Sequence, residues 1–369
     1  MFIGVDASRA NKSQRSGVEW YAYHLLKHFY KLDHQNHYCL YTPSKLLDDL
    51  NSLPQNFHER VLKWPPKKLW TLVRLSWEML NRRPDVFFVP SHTFPLLGGR
   101  KNVITWHDVG YLKYPETYTQ WELASLKQGA KRAMRLADKI ITISNFTKGE
   151  IIKFYNVEPD KIKVIHLGCD YELWRPIKAE TVKSYLQSQG IIHPYFIYLG
   201  RLALRKNIVG LIRIYNRFRE KYHLPYNLVL AGPSSAYQED IDKEIGDSPF
   251  KDEIKKVGWL PLEKLPVLLS GAQALVFPSI YEGFGLPTIE AMACGCPVIA
   301  SNAGSLPEVV GPAGVTLETH DINGFAQQMI KIVEDKKWRQ DLINQGLLRA
   351  KEFSWLTTAS QTLEVLYSV

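Results

Sequence analysis

Short runs that are apolar on nearly every residue alternate with helical segments along the whole chain, and this alternation constrains the fold more than any other feature. In the first half the strand candidates are FIGVD (2–6), HYCLY (37–41), DVFFV (85–89), NVITW (102–106), KIITI (139–143) and KVIH (163–166). Helical patterns lie between them over 18–31, 67–81, 120–136 and 145–155. A second series has strands YFIYL (195–199), NLVLA (227–231), ALVFP (274–278) and PVIAS (297–301). Its helices are expected over 208–221, 236–246, 262–271, 287–294, 321–334 and 337–351. A strand apolar at every position, and not at every second one, suits a parallel sheet covered on both faces. Repeated strand–helix units imply right-handed crossovers and doubly wound α/β sheets. At 369 residues the chain is too long for one ordinary domain and suits two. Residues 169–193 have no strand signal and include Pro176, which makes them the expected connection, with a boundary near 175. Domains are thus expected over 1–175 and 176–352. The stretch 353–369 reads as a last helix capped by Ser354 or a nearby Thr, with more apolar surface than a free tail needs.

Hydrophobic residues make up 45% of the chain and aromatics 12%, values of a globular protein with real cores. The N-terminal apolar run ends at Asp6, too short for a signal peptide, and no run approaches the roughly 20 residues that span a bilayer. A cytoplasmic location is expected, at most with peripheral attachment to the inner face of the membrane. Cys39, Cys169, Cys294 and Cys296 lack metal-ligand spacing and read as buried, reduced residues. Residues 1–180 hold 27 Lys and Arg against 18 Asp and Glu, whereas the rest is balanced, so the excess basicity belongs to the first half. Such a field attracts anions: lipid headgroups, phosphorylated acceptors or nucleic acid.

Two constellations in the second half carry chemistry. GRLALRKN (200–207) follows a strand and precedes a helix, and it brings Arg201, Arg205 and Lys206 to a strand's carboxyl end, where open α/β sheets bind ligands. Cations beside a helix N-terminus can neutralise a diphosphate without a metal. Basic residues on a solvated loop are the plain alternative. The second is YEGFGLPTIEAMACGCPVIAS (281–301), with Glu282 and Glu290 separated by seven residues. Gly283 and Gly285 let the backbone turn and aim N–H groups at a ligand. Pro287 is expected at the first helical position. Glu282 should lie in the loop and Glu290 in the helix's first turn, both placed to accept hydrogen bonds from sugar hydroxyls. For Glu290 alone, interaction with the helix dipole would suffice, but it leaves the Gly-rich loop unexplained.

These blocks, with EVVGPAG (308–314), resemble family 4 of the retaining glycosyltransferases, which have the GT-B fold: two Rossmann-like doubly wound domains facing a central cleft, with a C-terminal helix crossing back to the first. The resemblance spans essentially the whole chain and is strongest over 195–315. It implies transfer of a hexose from a nucleotide-diphosphate sugar to a hydroxyl of a glycan or lipid-linked acceptor, without a metal or cofactor. It assigns Arg201 and Lys206 to the donor diphosphate, Glu282 to the transferred sugar and Glu290 to the ribose hydroxyls. The backbone of Gly283, Phe284, Gly285 and Leu286 would line sugar and phosphates, and Gly258, Trp259 and Leu260 would meet the base. In the first half, Gly17 in SRANKSQRSGVEWY (8–21) would approach the donor phosphate, although many members have two adjacent glycines there. His107, in NVITWHDVGYLKYPETY (102–118), would face the cleft as a contact to the donor sugar. The implied mechanism is front-face substitution: Arg201, Lys206 and loop N–H groups hold the departing diphosphate, and no enzymatic nucleophile is needed. GDP-mannose is favoured as donor by similarity of 107–118 to mannosyltransferases, ahead of UDP- or dTDP-sugars.

A literal Asp-x-Asp at Asp240 and Asp242 falls in a charged helical segment and reads as solvated surface, not a metal site. KWPPKKLWTLVRLSWEMLNRRP (63–84) interleaves Lys63, Lys67, Lys68, Arg74, Arg82 and Arg83 with Trp64, Trp70 and Trp77. With Leu69, Leu72, Val73 and Leu80 at helical spacing, it reads as a helix packed on its sheet with a basic outer face. The other reading is an interfacial helix laid against anionic lipid. The alternatives for the whole chain are a GT-B-fold phosphorylase, a sugar-nucleotide epimerase, or a non-catalytic nucleotide-sugar-binding protein. A dinucleotide oxidoreductase would need GxGxxG after the first strand, where VDASRANKSQRSG stands. Nucleic-acid binding has only the basic first half in its favour, and the paired glutamates speak against it.

Overall fold

The computed structural model describes residues 1–65, 69–191, 193–234 and 238–369. It divides into two compact units: Met1–Gly168 with Ser354–Val369, and Cys169–Phe353.

The first unit is built on a seven-stranded sheet. In chain order its strands are β1 (Phe2–Asp6), β2 (His37–Thr42), β3 (Phe57–Val61), β4 (Val86–Val89), β5 (Lys101–Trp106), β6 (Lys139–Thr142) and β7 (Ile162–Val164), and in space they run β3-β2-β1-β4-β5-β6-β7. All described pairings are parallel. The order reverses between β1 and β4. One face is covered by the helices Gln120–Leu136 and Asn145–Tyr155 and by the segment 70–81. There Trp70, Leu75, Met79, Ala133, Met134 and Ile151 share a core with Phe87, Ile104 and Ile140 of the strands. The helix Gly17–Leu32 is started by Glu19, whose carboxylate accepts from the Ser16 N–H at 3.2 Å and from its hydroxyl. Gly17 is its first helical residue and not a turn glycine. The last helix, Trp355–Tyr367, lies beside it: the His24 ring stacks on Trp355 at 4.7 Å and 10°. Thr358 Oγ1 donates to the His166 carbonyl at 2.8 Å, and Tyr367 donates to Asp33 at 2.5 Å.

The second unit has a six-stranded parallel sheet. Its strands are β8 (Tyr195–Leu199), β9 (Asn227–Ala231), β10 (Ile254–Gly258), β11 (Leu275–Phe277), β12 (Val298–Ser301) and β13 (Val315–Leu317), in the spatial order β10-β9-β8-β11-β12-β13. Here the order reverses between β8 and β11, so the loops after these two strands flank a topological switch point, where such sheets bind ligands.

Three strands were not anticipated from the sequence: β3 (FHERV), β10 (IKKVG) and β13 (VTL). Each is an edge strand, with few fully buried residues and no continuous apolar run. The segment 169–193, expected as a plain connection, contains the helix Ala179–Ser188. It packs on the helix Leu265–Gly271 so closely that a Cβ on Gly271 would lie 2.6 Å from Val182. The expected helix over 236–246 begins, among the described residues, at Gln238; Ala236 and Tyr237 lie outside them.

The segment 67–81 departs most from expectation, and its residues Lys67 and Lys68 lie outside the described ones. A π-turn over Trp70–Leu75 precedes the helix Ser76–Asn81. A π-turn shifts the helical phase relative to a 3.6-residue repeat. As a result Trp70, Leu75 and Met79 turn inward, while Leu69, Val73, Trp77 and Leu80, three of which were expected on the packing face, are exposed. Among the described residues the outer face thus carries an apolar stripe that was not expected there, while Lys63, Arg82 and Arg83 are exposed as well. Arg74 is engaged with the buried Glu78 at 3.3 Å, which Arg60 also meets at 2.5 Å. Leu96 adds to the exposed stripe, its N–H bonded to Ser76 Oγ at 2.8 Å. Among the described residues no helix is long and apolar enough to cross a membrane.

Candidate active site

The loops after β8 and β11 are stitched to each other by main chain and side chain. Ile280 N–H donates to the Arg205 carbonyl at 2.9 Å, and Asn207 Nδ2 donates to the Pro278 carbonyl at 3.2 Å. Asn207 takes a left-handed backbone (φ 55°) that ends the short 3-10 turn Leu204–Lys206 and starts the helix Ile208–Tyr222. This stitching places the Lys206 ammonium against the Glu282 carboxylate in a largely buried ion pair. The ammonium also lies 5.5 Å from the Phe277 ring centroid. Beneath it, Tyr198 of β8 stacks on Phe277 of β11 at 5.6 Å, and its hydroxyl donates to the Arg201 carbonyl at 3.1 Å. Burial, with the Glu282 charge nearby, pushes the Tyr198 phenol well above its ordinary value, so it is a neutral donor.

A loop that the sequence reading did not single out holds Glu282 from behind. Ser305 donates to the Glu282 carbonyl through both N–H and Oγ, each at 3.1 Å. Gly304 (φ 64°) passes so close that a Cβ there would sit 2.4 Å from the same oxygen. The signal was present in NAGSLPE (302–308), but only the tertiary contact shows what it grips. Gly285 (φ 96°) is the N-cap of the helix Leu286–Ala293, and a Cβ on it would sit 2.6 Å from Leu306 Cδ2. Thr288 Oγ1 donates back to the Gly285 carbonyl at 2.8 Å. Phe284 packs edge-on against Phe353 at 5.8 Å.

Glu290 sits in the second turn of this helix and not, as expected, in the first, because the helix opens at Leu286 with Pro287 second. A dipole interaction confined to the first turn therefore does not account for it. Part of the residue stays open to solvent, yet its carboxyl is set deep enough that burial alone lifts its pKa from 4.5 to about 8. Among the described residues it has no side-chain hydrogen bond or ion pair. A desolvated carboxyl with no protein partner and some access from outside is arranged to accept hydrogen bonds from a ligand.

A second missed residue, Gly232, joins the anticipated Gly200 and Gly258 in a row of glycines at the ends of β8, β9 and β10. Gly200 (φ 141°) donates to the Ala231 carbonyl at 2.9 Å, and Gly232 (φ 141°) donates to the Gly258 carbonyl at 2.8 Å. A Cβ on Gly232 would lie 2.0 Å from Gly200 O, so side chains are excluded from this ledge. Beyond it Gly258 (φ 67°) and Leu260 are half-buried, and Trp259 is 60% exposed. Arg201 is exposed, and its side chain has no partner among the described residues. The structure thus brings Lys206, Glu282, Gly283, Phe284 and Gly285 together at the switch point. Arg201 lies on the same loop, Leu286 and Glu290 lie on the adjoining helix, and 258–260 lie at the end of β10.

Gly17 and His107 belong to the first unit. His107 follows β5 and is buried, its Nε2 3.2 Å from the Pro90 carbonyl and its ring edge-on to Tyr21 at 4.9 Å. Burial lowers its pKa to about 4, which leaves a neutral imidazole at physiological pH. Asp240 is exposed and Asp242 pairs with Lys256, both on the surface helix Gln238–Gly246.

Comparison with known proteins follows the same division. The family described as "Glycosyl transferases group 1" matches residues 189–349, and "Glycosyltransferase Family 4" matches 15–173. O-antigen chain mannosyltransferase B of Escherichia coli is 31% identical over 291 residues, covering 79% of this chain and 76% of the relative. Alpha-maltose-1-phosphate synthase of Mycolicibacterium smegmatis is 28% identical over 333 residues, covering 81% and 83%. In fold, sucrose-phosphate synthase from Thermosynechococcus elongatus superposes with a TM-score of 0.79 at 21% identity, covering 100% of this chain and 98% of that one. The two parallel-sheet Rossmann-like units are those of GT-B glycosyltransferases. The chain belongs to glycosyltransferase family 4, and it is a glycosyltransferase.

Proposed function

We propose that the chain is a retaining, metal-independent hexosyltransferase that uses GDP-mannose and extends a glycan or lipid-linked acceptor. The carrying observation is the Lys206–Glu282 pair at the β8/β11 switch point, together with Glu290 on the helix that follows the same loop, desolvated and without a side-chain partner among the described residues. On this reading the Cys169–Phe353 unit takes the donor and the Met1–Gly168 unit the acceptor. Lys206 and Arg201 neutralise the diphosphate as the glycosidic bond breaks, each well-placed donor contributing on the order of 3–4 kcal/mol. Glu282, anchored through its carbonyl, orients sugar hydroxyls, and Glu290 accepts from the ribose diol. The main chain of 258–260 meets the base, and the neutral His107 serves as an uncharged sugar contact. The leaving phosphate takes the acceptor's proton, so no side chain acts as nucleophile.

Mannose is favoured because the first relative above is named a mannosyltransferase. The relative named alpha-maltose-1-phosphate synthase favours a glucosyl donor as the second reading. Incubation of the purified protein with GDP-mannose, UDP-glucose and dTDP-sugars, followed by NMR of the released or transferred sugar, tests all parts. Turnover of GDP-mannose with an α-linked product is expected. Exclusive turnover of another donor, or a β-linked product, overturns the corresponding part.

The exposed stripe Leu69, Val73, Trp77, Leu80 and Leu96, flanked by the exposed Lys63, Arg82 and Arg83, supports peripheral attachment to an anionic membrane. Trp77→Asp should reduce co-sedimentation with liposomes containing anionic lipid. Sedimentation that is indifferent to both the variant and the lipid charge refutes attachment through this stripe.

A further inference from the structure

We propose that a cavity at the lower end of the first unit's sheet binds a phosphate ester of net negative charge carried on an apolar stem. The helix Gln120–Leu136 leads into β6, and the helix Asn145–Tyr155 with residues 156–161 leads into β7. Both helices therefore end at the amino-terminal edge of the sheet, opposite the strand ends where His107 and the β1 and β4 loops lie. Between them is a cavity of about 520 Å³, a size suited to a small ligand.

Its walls combine two chemistries. Lys131, Arg132, Arg135 and Lys161 line it, against the single acidic residue Glu158. None of the four cations has a carboxylate partner among the described residues. Met134, Val157 and Tyr155 supply an apolar floor. Arg132 is held in place by the first unit itself: one guanidinium nitrogen donates to the Phe94 carbonyl at 3.2 Å. It has no carboxylate partner among the described residues, so its charge is left for an anion to meet. Burial also lowers the pKa of both Arg132 and Lys161, so the wall is partly dry.

The carbonyl ends of two helices would ordinarily repel an anion here. Lys161 removes much of that repulsion, because its ammonium donates to the Met134 carbonyl at 2.7 Å and approaches the Arg135 carbonyl at 3.5 Å. Asn156, in a left-handed conformation (φ 51°), closes the other helix by donating its N–H to Ile152 O at 3.0 Å. The net field at the cavity is therefore positive. A phosphate among the cations with its substituent along the half-buried Tyr155 ring, over the buried Met134 and Val157, uses both walls. A free inorganic anion makes no use of that ring, and a neutral lipid brings no charge to the four cations.

The inference does not rest on the donor reading or on the exposed apolar stripe, and its test involves neither transfer nor a membrane. The full-length protein is titrated at low salt with dihexanoyl-phosphatidylglycerol below its micelle concentration, with dihexanoyl-phosphatidylcholine and with inorganic phosphate, followed by calorimetry or ligand-observed NMR. Phosphatidylglycerol should bind at least about tenfold tighter than either of the others. Lys131→Gln/Arg135→Gln, two exposed positions whose change leaves the fold intact, should weaken it by about tenfold or more. Equal binding of the two lipids removes the anion from the proposal, and equal binding of inorganic phosphate removes the stem. Unchanged affinity in the double variant places the ligand elsewhere. Any of these results overturns it.

Discussion

Replacing Glu290 by glutamine should remove a pH dependence that the wild-type second unit carries. In an unfolded chain this carboxyl titrates near 4.5, whereas in the fold burial lifts it to about 8. Between these values the folded protein holds a proton that the unfolded chain has released. The sign follows: stability is complete below 4.5 and is lost as pH rises, at about 1.4 kcal/mol per pH unit, until the slope vanishes above 8. The full loss is on the order of 5 kcal/mol at most. For a unit of this size that corresponds to a Tm falling by about 3–5 °C per pH unit relative to Glu290→Gln, which has no such titration. The comparison is made by differential scanning calorimetry from pH 5 to 8.5, where other titrating groups cancel in the difference.

The same carboxyl links ligand binding to protons. A ribose diol donating to Glu290 favours its charged form and lowers its pKa. At pH 7 the free carboxyl is about nine-tenths protonated, so binding of a nucleoside diphosphate should release close to one proton. Isothermal titration in buffers of different ionisation enthalpy measures that number, and Glu290→Gln should bring it near zero. Parallel Tm-versus-pH curves would show that the carboxyl is not desolvated. Equal proton release by both proteins would place the nucleotide away from it.

The remaining predictions separate site from scaffold. Lys206→Ala should lower transfer about 100-fold or more and also lower Tm, because Glu282 is left buried without its cation. Arg201→Ala should lower transfer with little change in Tm, since its side chain is exposed and has no partner among the described residues. Gly232→Ala puts a methyl 2.0 Å from Gly200 O at a left-handed φ; a loss of about 1–3 kcal/mol is expected in chemical denaturation, and an unchanged midpoint would refute the close contact. His107→Gln should flatten the acid limb of the first unit's stability. Its lowered pKa contributes stability that is full above 6.5 and lost as pH falls through about 4. Wild-type activity should accordingly lack a descending limb from this imidazole between pH 6 and 7.

Which parts were legible in the sequence follows from where each contact lies along the chain. Strands buried on both faces, such as YFIYL and VFFV, declare themselves because every residue must be apolar. The edge strands FHERV, IKKVG and VTL do not, since one side meets solvent and the pattern is diluted. The loop GRLALRKN and the block EGFGLPTIE were readable for a related reason. Their glycines and charges lie within a few residues of one another, so local composition carries the chemistry.

The amino-acid order by itself determined the doubly wound class and nominated Arg201, Lys206, Glu282 and Glu290. Only the tertiary structure decided that Lys206 and Glu282, 76 residues apart, share one buried ion pair. The same holds for the grip of Gly304 and Ser305 on Glu282, the Gly200–Gly232–Gly258 ledge, and the outward face of Trp77. These depend on which strands are neighbours and on one residue of extra helical phase. Both are settled by packing the whole unit, because each local window is equally satisfied by more than one arrangement.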